Sequence, residues 1–220
     1  GALLHRRGYR QAVGKAPLRE TLAAGILIAS GWEGKSPLID PFCGSGTIPI
    51  EAALLARNIA PGRNRRFAFM DWPGYDHATW KAILREAKEK ECESNAIIMG
   101  SDRDAGVIQM AQNNAERAGM AQNISFSCHA VSAIEPPDIL GWVITNPPYG
   151  IRVSMNKDLR NLYAQFGNVL REKCPGWHTA VLCSDNQLIG QTRIHSDPVL
   201  SLVNGGIQVR LAKGSIPSKK

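Results

Sequence analysis

Apolar and polar positions follow two rhythms along this chain, and the switches between them outline its elements. The apolar run SPLIDPF (36–42) ends in Asp40 and gives way to the loop CGSGT; IPIEAALLAR (48–57) then takes helical spacing, with Ile50, Ala53 and Leu54 on one face. That is strand, glycine loop, helix. AIIMGSD (96–102) is again an apolar run ending in an acid, and DAGVIQMAQNNAERAG (104–119) reads as an amphipathic helix stopped by Gly119. ISFSCHAV (124–131) and GWVITN (141–146) predict the third and fourth strands, LRNLYAQFGNVLREK (159–173) a helix, and HTAVLCS (178–184) a fifth strand. Strands alternating with helices imply βαβ units and a doubly wound, mostly parallel α/β sheet. Two β-rich runs around Asn204-Gly205-Gly206 carry a hairpin signal, so the sheet is expected to have seven strands and to finish in an antiparallel hairpin. Residues 58–95 interrupt the pattern with an arginine-rich loop and a predicted helix, HATWKAILREAKEKE, too long for a simple connection.

In an open α/β sheet the ligand site lies beyond the carboxyl ends of the strands at the switch point, so the ends of the first and fourth strands should face one site. DPFCGSGT is no phosphate loop of the Gly-Lys-Ser/Thr kind and lacks the full G-x-G-x-x-G. Gly44 and Gly46 allow a ligand close to the backbone, while N–H groups at the helix start favour a carboxylate and Asp40 can accept from an ammonium. Asp102 stands where an acid accepts from both hydroxyls of a ribose. An amino acid joined to a ribose is what S-adenosylmethionine presents. Structural readings stand beside these: Asp40 as a turn former and Asp102 as a helix N-cap.

VITNPPYGIR (143–152) is the oddest stretch. Proline has no N–H for a strand ladder, so the strand must stop at Asn146, either as a plain turn or as a binding edge. An exocyclic amino group on a base is a poor nucleophile because its lone pair is conjugated with the ring. Acceptors for both of its N–H groups favour a pyramidal nitrogen, and the Asn146 side-chain oxygen and Pro147 carbonyl, stiffened by Pro148, are such acceptors. Tyr149 offers a face for an extruded base.

Composition narrows the classes. With 220 residues, 44% hydrophobic and 20% charged, the chain suits one globular domain. No apolar run approaches the roughly 20 residues of a spanning helix and no signal-peptide pattern opens the chain, so a cytoplasmic protein away from membranes is expected. Cys43, Cys92, Cys128, Cys174 and Cys183 are odd in number and unpaired by C-x-x-C spacing, which argues for reduced thiols and no metal site. The net charge of +7 points to a polyanionic partner such as nucleic acid. Arg63, Arg65 and Arg66 run into Phe67, Phe69 and Trp72, so this stretch can serve base stacking or a small core. The start at Gly1 reads as part of a longer protein.

DPFCGSGT followed by NPPYG resembles the class I methyltransferases that act on exocyclic amino groups. The longer set LHRRGYR, APLRETLAA, LIDPFCGSGTIPIEAALLARNIAPG, GSDRD, ITNPPYGIR and NGGI is similar to the catalytic domain of the THUMP-containing RNA guanine-N2 methyltransferases, over nearly the whole chain. The resemblance implies a Rossmann-like methyltransferase domain over 36–220, with the segment 1–35 packing over the cofactor site and an RNA-binding THUMP-type domain upstream of Gly1. It implies S-adenosylmethionine as cofactor, held by Asp40, Pro41, Phe42, Cys43, Gly44, Gly46 and Thr47, with Asp102 on the ribose, Arg103 beside the adenine and Asn146 closing the site. Thr21 in APLRETLAA would reach the methionine end, and Glu51 would support the loop from the first helix. Asn146, Pro147, Pro148 and Tyr149 become the catalytic motif, and Arg63, Arg65, Arg66 and Arg152 contacts for the RNA, rRNA before tRNA. At the position where the family has an acid for the adenine amino group, this chain has Ala130. A backbone carbonyl or Ser132 would then replace the acid, or cofactor affinity would be lower. Two other readings remain: an adenine-N6 methyltransferase, which shares Asn-Pro-Pro-Tyr, and a non-catalytic RNA-binding module with a degenerate cofactor site.

Overall fold

The computed structural model describes residues 3, 5–10, 18–149 and 156–218, with the side chains of 156–158 left aside. Its centre is a seven-stranded sheet in the order β3-β2-β1-β4-β5-β7-β6. The parallel strands are β1 (Leu38–Asp40), β2 (Ile98–Asp102), β3 (Ser125–Cys128), β4 (Trp142–Thr145) and β5 (His178–Cys183). Then β6 (Ser196–Asn204) and β7 (Ile207–Ser215) form the antiparallel hairpin, and β7 pairs with β5.

Adjacent residues of the central strands feed opposite faces, as a two-residue period requires. Leu38, Ile144, Ala180 and Leu182 join a core with α1 (Glu20–Ser30), α2 (Thr47–Ala56) and α4 (Ala105–Ala118). Ile39, Val143 and Val181 join a second core with Phe166 and Leu170 of α5 (Asn156–Lys173). The short α6 (Asn186–Gln191) sends Leu188 into a third cluster with Leu159 and Tyr163 of α5.

Two local expectations change. From Thr47 to Leu54 every residue of α2 is buried, so the helix has no solvent face and the one-sided pattern read for it undercounts its contacts; it lies between the sheet, α1 and α4. Asp102 is not the cap of α4: Asp104 is, its Oδ1 accepting from the N–H groups of Gly106 and Val107 at 2.8 and 3.3 Å.

The insertion forms α3 (His77–Glu89), which buries no residue. Its loop makes a small aromatic cluster instead, with Phe67 and Phe69 stacked at 5.5 Å and both edge-on to Trp80. Trp72 stays 67% exposed. At the hairpin, Gly205 (φ 57°) and Gly206 (φ 84°) supply the two left-handed positions of a tight two-residue turn. Pro198 sits on the edge strand β6 beside a register shift, the place where a missing N–H costs least.

Candidate active site

The sheet order places β1 beside β4, and the chain leaves β1 toward β2 and β3 before returning, so the switch point falls between these two strands. A cavity of about 610 Å³ opens at the carboxyl ends there, within the usual range for small-molecule sites. Pro41, Phe42, Asp102, Arg103, Ala130, Asn146, Pro147, Pro148 and Tyr149 all line it. Asp40, Cys43, Gly44, Gly46, Thr47 and Thr21 are not on its wall.

The reason lies in how the β1 loop is folded. Asp40 is 1% exposed and its Oδ1 accepts from Thr145 Oγ1 at 2.6 Å and from the Phe42 N–H at 3.2 Å. Burial pushes its carboxyl up to about 7 against those two hydrogen bonds, and nearby Asp102 adds to the rise. Burial, with Asp40 and Asp102 behind it, also lifts the Cys43 thiol well above its ordinary range. Gly44, with open space where a Cβ would stand, keeps the loop approachable, and its N–H donates to Asp102 Oδ2 at 3.2 Å. Gly46 does something else: a Cβ there would meet Ala111 and the Phe126 ring at 3.0 Å, so this glycine permits close helix–strand packing rather than ligand approach. Phe42 anchors the loop edge-on against Phe166 at 5.3 Å. Asn114 Nδ2 holds the loop from α4 by donating to the Ser45 carbonyl at 2.9 Å.

Asp102 keeps its carboxylate on the cavity wall, with Oδ1 accepting only a local bond from the Asp104 N–H at 3.1 Å. Past β3, His129, Ala130 and Val131 line the neighbouring wall. His129 Nδ1 lies 3.0 Å from the Ala130 carbonyl and Nε2 2.9 Å from Ser127 Oγ. A carbonyl can only accept, so the bond at Nδ1 is one in which the ring donates. The Ala130 carbonyl also accepts from the Ala133 N–H at 2.9 Å, and Ser132 is exposed and off the cavity wall.

At the end of β4 the two prolines turn the chain away from the ladder. Asn146 Oδ1 is buried and has no hydrogen-bond partner among the described residues. Leaving such an acceptor unmet costs about 1–3 kcal/mol, so the position calls for a donor. The Tyr149 ring is half-buried on the same wall, and its hydroxyl accepts from Asn204 Nδ2 at 3.0 Å. Tyr163 Oη donates to the Pro148 carbonyl at 3.3 Å. Leu159, Leu162 and Gln165 of α5 and Asn204 and Gly205 of the hairpin complete the far side. Sequence patterns missed these: α5 reads as an ordinary amphipathic helix, and the Asn-Gly-Gly run signals only a turn.

The N-terminal segment covers α2 and α4. Glu51 on α2 carries it: both carboxylate oxygens accept from Arg7 Nε at 2.8 Å, and Oε1 accepts from the Tyr9 hydroxyl at 2.9 Å. Burial nevertheless raises the Glu51 carboxyl above its ordinary value, and burial beside Glu51 raises the Tyr9 phenol. Arg117 Nε donates to the Tyr9 carbonyl at 2.7 Å, and Arg10 reaches the Leu18 carbonyl at 2.6 Å and Thr47 Oγ1 at 3.5 Å. Thr21 is exposed at the start of α1. Arg63 donates to the Ala118 carbonyl and pairs with Glu91 at 3.6 Å, Arg65 donates to the Leu3 and Arg6 carbonyls over the Phe67 ring, and Arg66 pairs with Asp71. Arg152 lies outside the described residues. Among the described residues no cluster of His, Cys, Asp and Glu can hold a metal, and no helix is long and apolar enough to cross a membrane.

A mostly parallel seven-stranded sheet ending in an antiparallel hairpin, with an Asn-Pro-Pro-Tyr segment on the cavity at its switch point, has the Rossmann-like methyltransferase architecture. The chain belongs to the UPF0020 family, described as the RMKL-like methyltransferase domain, which matches residues 7–212. Ribosomal RNA large subunit methyltransferase K/L of Shewanella baltica (strain OS155 / ATCC BAA-1091) is 44% identical over 216 residues, covering 94% of this chain and 30% of that protein. The chain thus spans about 30% of the length of the curated relatives it matches. Among solved structures, SMU.472, assigned as a methyltransferase and complexed with SAH, superposes with a TM-score of 0.88 at 32% identity over 99% of this chain and 56% of that one. A predicted N6-adenine-specific DNA methylase from Listeria monocytogenes str. 4b F2365 superposes with a TM-score of 0.87 at 36% identity over the same shares.

Proposed function

We propose that this domain binds S-adenosylmethionine in the 610 Å³ cavity and directs its methyl group to the exocyclic N2 amino group of a guanine in RNA, with large-subunit rRNA as the substrate. The observation that carries the reading is Asn146 Oδ1, a buried acceptor with no partner among the described residues, beside an aromatic ring and on the same wall as Asp102. The residues fit the cofactor. Asp102 offers a carboxylate to a ribose, the approachable backbone at Gly44 lies beside it, and the wall at His129–Val131 takes the adenine. Asp40, Cys43, Gly46 and Thr47 act from behind that loop, shaping it. Burial brings the Asp40 carboxyl up to about 7, so a bound ammonium would draw it to the ionised form.

The cofactor supplies an electrophilic methyl group. The chain's own residues supply placement. Asn146 Oδ1 and the Pro147 carbonyl accept from the amino group of the base and turn its lone pair out of conjugation, while Tyr149 stacks on the ring. The nitrogen becomes acidic as it gains the methyl group, so its proton passes to water without a strong general base. The curated relatives' description as large-subunit rRNA enzymes supports RNA over DNA, and with it a cytoplasmic protein. We assign 36–220 as the methyltransferase unit and 1–35 as a segment covering the loop from the α2 side, a reading supported by the Arg7–Glu51 and Arg10–Thr47 contacts. The relatives' greater length supports a separate RNA-selecting domain of THUMP type in the longer protein.

Mass spectrometry of nucleosides from a strain lacking the protein tests the assignment. Loss of N2-methylguanosine from large-subunit rRNA is expected. Loss of N6-methyladenine from DNA, the reaction in the name of the Listeria protein, would replace the substrate class.

A further inference from the structure

A ring can guide a base only if it is itself held still. Two side chains from outside β4 hold the segment that carries Tyr149. From α5, Tyr163 Oη donates to the Pro148 carbonyl and lies 3.3 Å from Cys183 Sγ, so the proline carbonyl is tied to the far core. From the hairpin, Asn204 Nδ2 donates to Tyr149 Oη at 3.0 Å across 55 residues of sequence. Asn204 is 8% exposed and is the last residue of β6, directly before the left-handed Gly205-Gly206 turn. Its amide is therefore presented by a tight hairpin rather than by a loose loop. The Tyr149 ring also packs against two hydrophobic clusters, one containing Val209 and Leu211 of β7 and the other Leu159 and Tyr163 of α5. Packing restrains the rotation of the ring about its own axis, and the bond to Asn204 pins its hydroxyl end.

We propose that Asn204 is a positioning residue for methyl transfer: its amide pins the hydroxyl end of Tyr149 and so holds the packed ring where the target base stacks while the amino group of that base meets Asn146. The antiparallel hairpin that closes the sheet thereby becomes part of the base-binding pocket. The inference rests on the function proposed above.

The test uses the intact protein, with large-subunit rRNA from a strain lacking it as substrate. A mispositioned ring loses part of its stacking on the base, so Asn204→Ala is expected to lower kcat roughly tenfold. The KM for rRNA, set by contacts elsewhere, and the calorimetric Kd for S-adenosylmethionine should stay within about twofold. Tyr149→Phe, which keeps the ring and removes the hydroxyl, should give the same loss, and the double variant no further one. Asn204→Asp restores a bond in which the Tyr149 hydroxyl donates, so it should recover at least a third of the wild-type kcat. Asn204→Asp combined with Tyr149→Phe should recover nothing. Multiplying losses in the double variant, or a parallel fall in cofactor affinity and melting temperature, would make Asn204 a hairpin residue only. Wild-type kcat in Asn204→Ala would overturn the proposal and leave the function standing. No cofactor binding or transfer by the wild type would overturn the function itself.

Discussion

The segment 146–149 and the insertion 58–95 both attract attention as sequences, one through its prolines and tyrosine, the other through its arginines and aromatics. In the folded chain they differ in what their polar groups have left to bind. Asn146 Oδ1 is buried and unmet among the described residues. In the insertion, Arg63 has Glu91 and the Ala118 carbonyl, Arg66 has Asp71, and Arg65 lies over Phe67 with two N-terminal carbonyls in reach. The aromatics there stack on one another, apart from the exposed Trp72. A buried acceptor without a donor raises the free energy of the folded chain until a ligand arrives, whereas surface charges that meet partners within the chain carry no such demand. Unmet burial is therefore the stronger mark of a binding site.

That contrast can be broken or sharpened by experiment, the largest effect first. Asn146→Ala should lower kcat by about 10²–10³, the usual cost of one preorganised polar contact to a reacting group, with the cofactor Kd nearly unchanged. If transfer and cofactor binding fall together, Asn146 is structural and the contrast collapses. Asp102→Ala should abolish the thermal stabilisation by S-adenosylmethionine, which at a hundredfold excess over Kd amounts to about 2.7 kcal/mol. A retained shift in melting temperature would move the ribose site away from β2.

Asp40 gives a pH test of the same contrast from the buried side. Its folded value is about 7 against an ordinary 3.8, so between these the folded state keeps a proton that the unfolded chain has released. Stability then falls as pH rises through that window and levels off above 7. Asp40→Asn keeps an acceptor for Thr145 and the Phe42 N–H and cannot ionise. It should gain on the order of 2–4 kcal/mol over wild type at pH 8 and almost nothing at pH 4, measured by urea unfolding of the ligand-free protein. A loss at pH 8 would mean that the carboxylate is ionised and matched. The smallest effect belongs to the insertion. Arg66→Ala should change stability by less than about 0.5 kcal/mol, since both partners of its ion pair are well exposed. It should weaken RNA binding about threefold and reduce the salt slope by about one. An unchanged slope would assign that arginine to the surface of the insertion alone.

Much of this architecture was legible before folding. The five parallel strands, the hairpin at Asn204-Gly205-Gly206 and the helices 105–118 and 156–173 all fall within a few residues of where periodicity puts them. Two helices were not read. In α1 the apolar stretch of TLAAGILIAS hides its period, and α6 has only six residues, too few for a period to register. The choice of Asp104 over Asp102 as the cap of α4 could not be read either, because two acids two residues apart satisfy the same rule. From sequence Gly46 reads as ligand-facing, whereas its missing Cβ makes room for Ala111 and Phe126, which arrive from α4 and β3.

By itself the sequence determined what neighbours along the chain can decide. Strand and helix follow from side-chain period, the stop at Asn146 from the two prolines behind it, and the tight hairpin from two consecutive glycines, because each depends on a handful of adjacent dihedrals. Only the tertiary structure decided which strand ends meet, through the order β3-β2-β1-β4-β5-β7-β6. It also decided which polar groups are met: Asp40 by Thr145 across 105 residues, Tyr149 by Asn204 across 55, and Asn146 by none among the described residues. Hydrogen-bond satisfaction over such separations is set by packing of whole layers, and no local rule on the chain encodes it.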